Sequence, residues 1–280
     1  MKKSNQQFAI TALILIMVIV YLFVTAPAPL EDDKQSGMQL PIDIVLRLAN
    51  EENKAIRKLY TQEIVQAGKK IGIKFDEQWQ EKSIVAGMLP AQFLRETAMY
   101  LEKSPVRLGL YLGSDYPINQ VNLLEGLQAK KFLELKDKKH DVFFNAPAEK
   151  TFVYMSPDIA VVKPCVTCHN EHPESPKTNW KLNDVMGATT WLYPEQTISV
   201  SDALNLLAEL RNGFRFAYQY FLDEVGQMPK NYQVGDKWPG DGYFVPSKDA
   251  FMKEFSRRAS DSTLNKLLLH LTSDKLKANK

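Results

Sequence analysis

The stretch Cys165-Val166-Thr167-Cys168-His169 holds both cysteines of the 280-residue chain, and a histidine directly follows the second one. Cys-x-x-Cys-His is the attachment signature of c-type haem. Each thiol can form a thioether bond with a haem vinyl group, and the adjoining imidazole can bind the iron as an axial ligand. We therefore predict one haem c bonded to Cys165 and Cys168, with His169 as the proximal iron ligand.

Other interpretations of this stretch are open. A thioredoxin-like redox pair should begin a helix after a βα pattern, whereas Lys163-Pro164 before the motif and residues 170–173 after it predict a loop rather than a long helix. A zinc site needs a second pair of ligands besides the two cysteines. Here only His172, together with His169, could supply that pair. A disulfide across two residues would close a tiny loop and add little stability, and a chance match is the last alternative.

The N-terminus carries the second strong pattern. Lys2 and Lys3 precede an uncharged apolar run from residue 8 to 24, and three acidic residues follow at 31–33. The run is at the short end of what spans a bilayer but longer than the usual apolar region of a signal peptide. The charge order predicts a cytoplasmic segment at 1–7, an uncleaved anchor at 8–25 and an exported body. Cleavage near residues 26–28 is the open alternative.

Composition narrows the function classes. The chain has 35 basic and 33 acidic residues and a formal charge of +2, and 45% of its residues are hydrophobic, as in an ordinary globular protein. No basic stripe with interleaved aromatic residues is present, so we expect no nucleic-acid partner. Four histidines in total are too few for several haems. We find no nucleophile elbow, phosphate-binding glycine loop or paired-carboxylate motif, and we predict that the protein is not an enzyme.

Apolar spacing and turn residues predict an α+β fold. After a linker at 26–41, the expected elements are a helix at 43–70 capped by Asp43, a helix from Leu89-Pro90, a strand at 107–112, a helix at 121–135, a charged turn at 136–141, a hairpin at 142–145 and 151–155, and strands at 159–162 and 185–192. This order predicts a small antiparallel sheet with helices on one side.

The sequence pattern changes after Pro194, from short strands and helices to mainly helical segments. We expect Ser201 to cap a long helix that ends near residue 224, an irregular loop at 235–246, and two closing helices at 247–256 and 262–271. Residues 195–280 would then form a helical C-terminal extension that packs on the preceding domain.

Several short segments carry a family resemblance. They are Leu89-Pro90-Ala91 with Phe93 and Arg95, residues 114–119, 165–170, 172–173 and 175–177, Trp180-Lys181, and Asp184-Val185 with Gly187. Together they resemble the periplasmic PAS-like haem-c domains, a family first catalogued as a domain of unknown function that includes the cyanobacterial Tll-like haem proteins. The resemblance runs from about residue 40 to Pro194. It implies a PAS-like domain at 42–194 with one covalent haem, often the sensory input of membrane receptors.

The distal iron ligand decides the function. A methionine or histidine there would favour electron transfer, and an open position would favour binding of a gas. The candidates are Tyr60, Met88, Met99, Met155, Met186, His140 and His172. For each the alternative is an ordinary packing or solvent-exposed role. Some relatives use a cysteine of the N-terminal helix, which this chain lacks.

Three cations are candidates for pairing with the haem propionates, namely Arg95, Lys177 and Lys181. Trp180 is expected to stack on the haem or to fill the core. We therefore expect a single-span protein of the bacterial inner membrane with its bulk in the periplasm. It would sense redox state or a diatomic gas and signal to a partner protein. The alternative is a monohaem cytochrome with a redox partner; a haem peroxidase has the least support.

Overall fold

The structure is a computed structural model that describes residues 15, 17, 39–81, 83–240, 243–260 and 263. The chain divides into two compact units, residues 1–38 and 39–280. Within the described ranges, no helix has both the length and the apolar character that a bilayer-spanning segment needs. The anchor expected at 8–25, most of the linker and the helix expected at 262–271 lie largely outside these ranges and stay predictions.

The first helix, α1, spans Ile42–Leu59 and continues as a π-helix over Tyr60–Gln66 and a last α-helical turn over Ala67–Lys70. The helix predicted at 43–70 is therefore confirmed. The predicted cap at Asp43 is wrong, because Pro41 occupies the N-cap position without a side-chain hydrogen bond. Asp43 lies in the first turn instead, where a negative charge is favourable at the positive end of the helix dipole.

The second helix, α2, spans Pro90–Lys103 and begins with proline in its first turn, as predicted. Strand β2, Gly109–Gly113, follows. The next helix starts later than expected because the chain first turns through a short 3-10 helix at Gln120–Asn122. Helix α3 then spans Gly126–Lys138. It takes in the first half of the segment 136–141, which the sequence had predicted to be a turn.

The central sheet has four strands in the order β2-β5-β4-β3, and all neighbours are antiparallel. Strands β3, Val142–Ala146, and β4, Thr151–Ile159, form the predicted hairpin. Strand β5, Val185–Tyr193, confirms the prediction at 185–192. The separate strand predicted at 159–162 is wrong, because Ile159 is the last residue of β4, just after a register shift between Asp158 and Ile159, and residues 160–162 form no strand.

Helices cover both faces of this sheet, not one face as predicted. On one face, Phe132 of α3 packs with Val153 and Val185. On the other face, Trp191 packs among residues of α1 and α2, and its indole N–H donates to Asn50 Oδ1 at 3.1 Å. Strand β5 is buried along almost its whole length, as expected for a strand that is covered on both sides.

A two-stranded pair leads into the C-terminal part. Strands β1, Gln39–Pro41, and β6, Thr197–Ser199, are antiparallel, and helix α5 follows over Val200–Gln227. Its N-cap is Ser199, not the predicted Ser201, because Ser199 Oγ accepts a hydrogen bond from the backbone N–H of Asp202 at 3.0 Å. Such a bond satisfies one of the free N–H groups of the first turn.

Two short parallel strands lie at the ends of the loop predicted at 235–246, β7 at Gln233–Gly235 and β8 at Phe244–Pro246. A further helix, α6, occupies 248–260. The Tyr218 ring of α5 stacks on Phe251 of α6 with centroids 3.9 Å apart. Both residues belong to the cluster that holds Tyr60, so the C-terminal helices and α1 share one hydrophobic core.

A buried ion pair joins α1 to α5. The Glu52 side chain is 1% exposed, and it accepts hydrogen bonds from Arg211 Nε at 2.8 Å and from Arg211 Nη2. The carboxylate also raises the pKa of the Arg211 guanidinium. A buried carboxylate keeps its charge at an acceptable free energy only while such a partner is present.

We expect Arg211→Met to destabilise the protein by about 3 kcal/mol, because Glu52 would be left buried and unpaired. The measurement is the free energy of unfolding in urea. The matched control is Arg215→Met, which breaks the solvent-exposed pair with Asp249 and should cost less than about 1 kcal/mol. Adding Glu52→Gln to Arg211→Met should restore part of the loss. Equal stability of the two arginine variants would contradict the assignment.

Candidate functional site

The Cys-x-x-Cys-His motif lies on a helix. Helix α4 spans Lys163–Glu171 and has Pro164 in its first turn, where a missing N–H breaks no helical hydrogen bond. The prediction of a loop here is wrong for that reason. Positions 165, 168 and 169 are separated by three and four residues, so the two thiols and the imidazole share one side of α4.

Both thiols are free. Cys165 is half-buried and Cys168 is exposed as a whole residue. Partial burial of its sulfur, reinforced by the charge of Glu77, raises the pKa of the Cys168 thiol. The attacking thiolate of a thioredoxin-like pair has a lowered pKa, so Cys168 is not suited to be the attacking thiol of such a pair.

The His169 side chain is half-buried. Burial lowers its pKa, the charge of Asp158 opposes this shift, and His172 adds to it. Its Nδ1 atom is buried and has no hydrogen-bond partner. Neutral imidazole is the form that binds metals. The lowered pKa of His169 favours that form, and its Nδ1 atom is free of other partners among the described residues. The residues present therefore fit a haem of the c type.

A zinc site receives no such support. Within the described ranges, no group of three or more His, Cys, Asp or Glu residues is placed to hold a metal ion.

A small apolar cluster lies behind the motif. Ala160, Trp180 and Met186 are its buried members, and Cys165 and Val166 pack against it. Helix α4 itself contains no fully buried residue, so this cluster is its main apolar support. Of the candidate distal ligands, Met186 lies in this cluster, and His172 lies at the C-cap of α4.

Two hydrogen bonds tie α4 to Trp180. The Asn170 amide donates to the Trp180 carbonyl at 3.0 Å, and the Trp180 backbone N–H donates to Asn170 Oδ1 at 2.8 Å. The Trp180 side chain is 4% exposed, and its indole N–H is buried without a partner. Lys177 lies over the Trp180 ring, with Nζ 4.6 Å from the ring centroid. Two of the predicted cofactor-binding residues are therefore next to the motif.

The tyrosine and methionine candidates have packing roles. Tyr60 is fully buried, its hydroxyl donates to the Met88 carbonyl at 2.9 Å, and its ring stacks on Phe93. Burial raises the pKa of Tyr60 well above its ordinary value, which opposes the tyrosinate form. Met88 and Met155 are fully buried, the former in the core around Tyr60 and the latter against α3. Met99 is 37% exposed on α2.

The histidine candidates are engaged elsewhere. His172 Nε2 lies 3.0 Å from Glu77 Oε1, and its Nδ1 accepts from the backbone N–H of Glu174. His140 is exposed and its Nδ1 donates to the Asp141 carbonyl at 2.9 Å.

The other two predicted propionate partners are solvent-exposed. Arg95 lies on the exposed side of α2, where its charge acts on Glu96. Lys181 is exposed, and its backbone N–H donates to Asp184 Oδ2 at 2.8 Å.

An ion pair beside His169 was not foreseen. Arg57 Nη2 donates to both carboxylate oxygens of Asp158, at 3.2 and 3.1 Å, and Arg57 Nη1 donates to Thr189 Oγ1 at 3.3 Å. Asp158 is the carboxylate whose charge acts on His169. The hydrogen bonds of Arg57 link α1 with β4 and β5. The bonded residues are more than 100 positions apart in the chain. No local sequence signal could have revealed it.

We expect Asn170→Ala to lower the free energy of unfolding by about 1–3 kcal/mol, because two backbone groups of Trp180 lose their partner. Urea denaturation measures the loss. Asn170→Asp keeps the acceptor for the Trp180 N–H and should cost less than the alanine variant. Wild-type stability of Asn170→Ala would show that these bonds do not hold α4 in place.

One of the comparisons with known proteins found a match. The family model described as Tll0287-like matches residues 44–194, a range that contains the motif, Trp180 and the four strands of the central sheet. No curated protein and no solved structure matches the chain. Since the family model covers more than half of the 280 residues, the chain belongs to the Tll0287-like family.

Proposed function

We propose that this protein carries one covalent haem c on a PAS-like domain at 42–194 and senses redox state or a diatomic gas. The observation that carries the proposal is that one side of α4 combines two free thiols with a partly buried imidazole whose Nδ1 atom has no hydrogen-bond partner in the described part of the chain. Cys165 and Cys168 would hold the haem, and His169 would bind its iron. When bound, the haem supplies one-electron chemistry and a site for small gases.

The surrounding residues have their own roles in this proposal. Burial lowers the pKa of His169, and the Arg57–Asp158 pair holds a carboxylate beside the imidazole. Trp180 and Met186 keep water from the inner side of α4. The antiparallel order of the four-stranded sheet supports the PAS-like part of the proposal. An N-terminal anchor would hold this domain in the periplasm, where it would signal to a partner protein. The role is binding and signalling, not catalysis.

The residue at the sixth iron position, on the distal side of the haem, decides between sensing and electron transfer. Tyr60, Met88 and Met155 are committed to the core, and His172 is paired with Glu77. This arrangement favours an open or exchangeable sixth position, and therefore sensing. Met186 favours the alternative, a monohaem cytochrome, because it shares a cluster with Cys165 and a thioether ligand suits electron transfer.

The attachment is tested by Cys165→Ala and Cys168→Ala in the full-length protein. We expect the double variant to carry no haem after denaturing gel electrophoresis, because each thioether bond needs one of these sulfurs. The readouts are haem staining and the intact mass. Thr167→Ala, an exposed position between the two cysteines, should keep the haem. A colourless wild-type protein with the mass of the bare polypeptide would refute the proposal.

Sensing is tested by the optical spectrum of the full-length protein with and without carbon monoxide or nitric oxide. We expect a five-coordinate or easily displaced haem whose spectrum changes with gas. A six-coordinate, low-spin spectrum that gas leaves unchanged would favour the cytochrome instead. In that case Met186→Leu should open the sixth position, whereas Met99→Leu on the exposed side of α2 should not.

A further inference from the structure

Two lysines and two aromatic rings meet next to the motif. Lys177 Nζ lies 4.6 Å from the Trp180 ring centroid and 5.6 Å from that of Tyr116. Lys136 Nζ lies 6.0 Å and 5.7 Å from the same two centroids. We call these four residues the two-lysine cluster. The sequence had placed Lys136 in a solvent-exposed turn, whereas it is half-buried on α3.

The charges of this cluster are not balanced. Lys136 is paired with Asp115, with Nζ 2.7 Å from Oδ2. Lys177 is half-buried, and among the described residues it has no ion-pair partner. The two lysines and the single carboxylate leave a net charge of +1. Contact with aromatic faces stabilises an ammonium group, but it provides no anion.

The Trp180 indole N–H is the second uncommitted donor. The side chain is 4% exposed, and Nε1 is buried with no hydrogen-bond partner. Leaving a buried donor unpaired costs about 1–3 kcal/mol, so native structures rarely retain one. The N–H belongs to the ring that both ammonium groups approach. An uncommitted cation and an uncommitted N–H donor together suit a carboxylate.

We propose that Lys177, Lys136 and the Trp180 indole N–H form a carboxylate-binding site beside the motif. Asn170, two positions after Cys168, holds the Trp180 backbone through two hydrogen bonds. The site is therefore fixed relative to the attachment residues. This position favours a propionate of the haem as the carboxylate, and that part of the inference rests on the proposed function. A free small carboxylate is the other source of the same chemistry.

The first test uses the full-length haem-loaded protein and measures its reduction potential. A cation near a propionate favours the reduced haem, because it offsets negative charge close to the iron. We expect Lys177→Gln to lower the ratio of reduced to oxidised haem at a fixed ambient potential by about threefold to tenfold. Lys130→Gln removes the same charge from an exposed position of α3 and should change the ratio much less.

Trp180→Phe provides a second variant that keeps an aromatic ring and removes the N–H. We expect a smaller shift of the potential in the same direction, with haem still bonded on a denaturing gel. Trp238→Phe, in the C-terminal part of the chain, should leave the potential unchanged. Wild-type potentials in both Lys177→Gln and Trp180→Phe would overturn the propionate assignment while leaving the covalent attachment intact.

The second test asks whether a free carboxylate binds. The full-length Cys165→Ala/Cys168→Ala variant, which lacks the attachment residues, is heated in acetate and in chloride of equal ionic strength. A higher melting temperature in acetate, lost when Lys177→Gln is added, would support the carboxylate site even if the wild-type protein proved to carry no haem. No acetate effect together with unchanged potentials would overturn the site altogether.

Discussion

The antiparallel pairing of β4 with β5 is the constraint on which the candidate site depends. The segment between these strands, residues 160–184, contains the whole motif helix, and the strands hold both of its ends. The ladder is extended by Ala160, whose N–H donates to the Asp184 carbonyl and whose carbonyl accepts from Asn183, each at 3.0 Å. Gly187 permits β2 to pair closely, because an added Cβ would lie 2.7 Å from the Gly113 carbonyl oxygen.

Stability and function use different parts of the molecule. The large aromatic core joins α1, α2, α5 and α6 around Tyr60, Phe93, Phe221 and Phe251. The motif helix contributes no fully buried residue and depends on a small cluster and on two hydrogen bonds from Asn170. Burial of apolar area dominates folding stability, so the aromatic core can carry the fold while α4 keeps one side for a cofactor.

Two ion pairs of α1 follow the same division. The Glu52–Arg211 pair fixes α1 against α5 inside the stable part. The Arg57–Asp158 pair lies where α1 meets the sheet, next to His169. The first pair supports the architecture, and the second sets the electrostatic surroundings of the imidazole. Both pairs involve a residue of α1, so the placement of this helix couples the core to the site.

The sequence by itself determined features that depend on near neighbours. The motif residues at positions 165, 168 and 169 share a side on any helix, and the hairpin and α1 follow from apolar periodicity. Local rules failed where neighbouring positions compete, as when the end of β6 makes Ser199 the cap instead of Ser201.

The tertiary structure alone decided which residues surround the motif. Lys136, Asp158 and Arg57 reach it from three separate elements. Tyr60, by contrast, is drawn into the core by Phe93, Phe221 and Phe251. Contacts between residues that are tens to hundreds of positions apart depend on how helices pack on a sheet, and a single sequence carries no local signal of that packing.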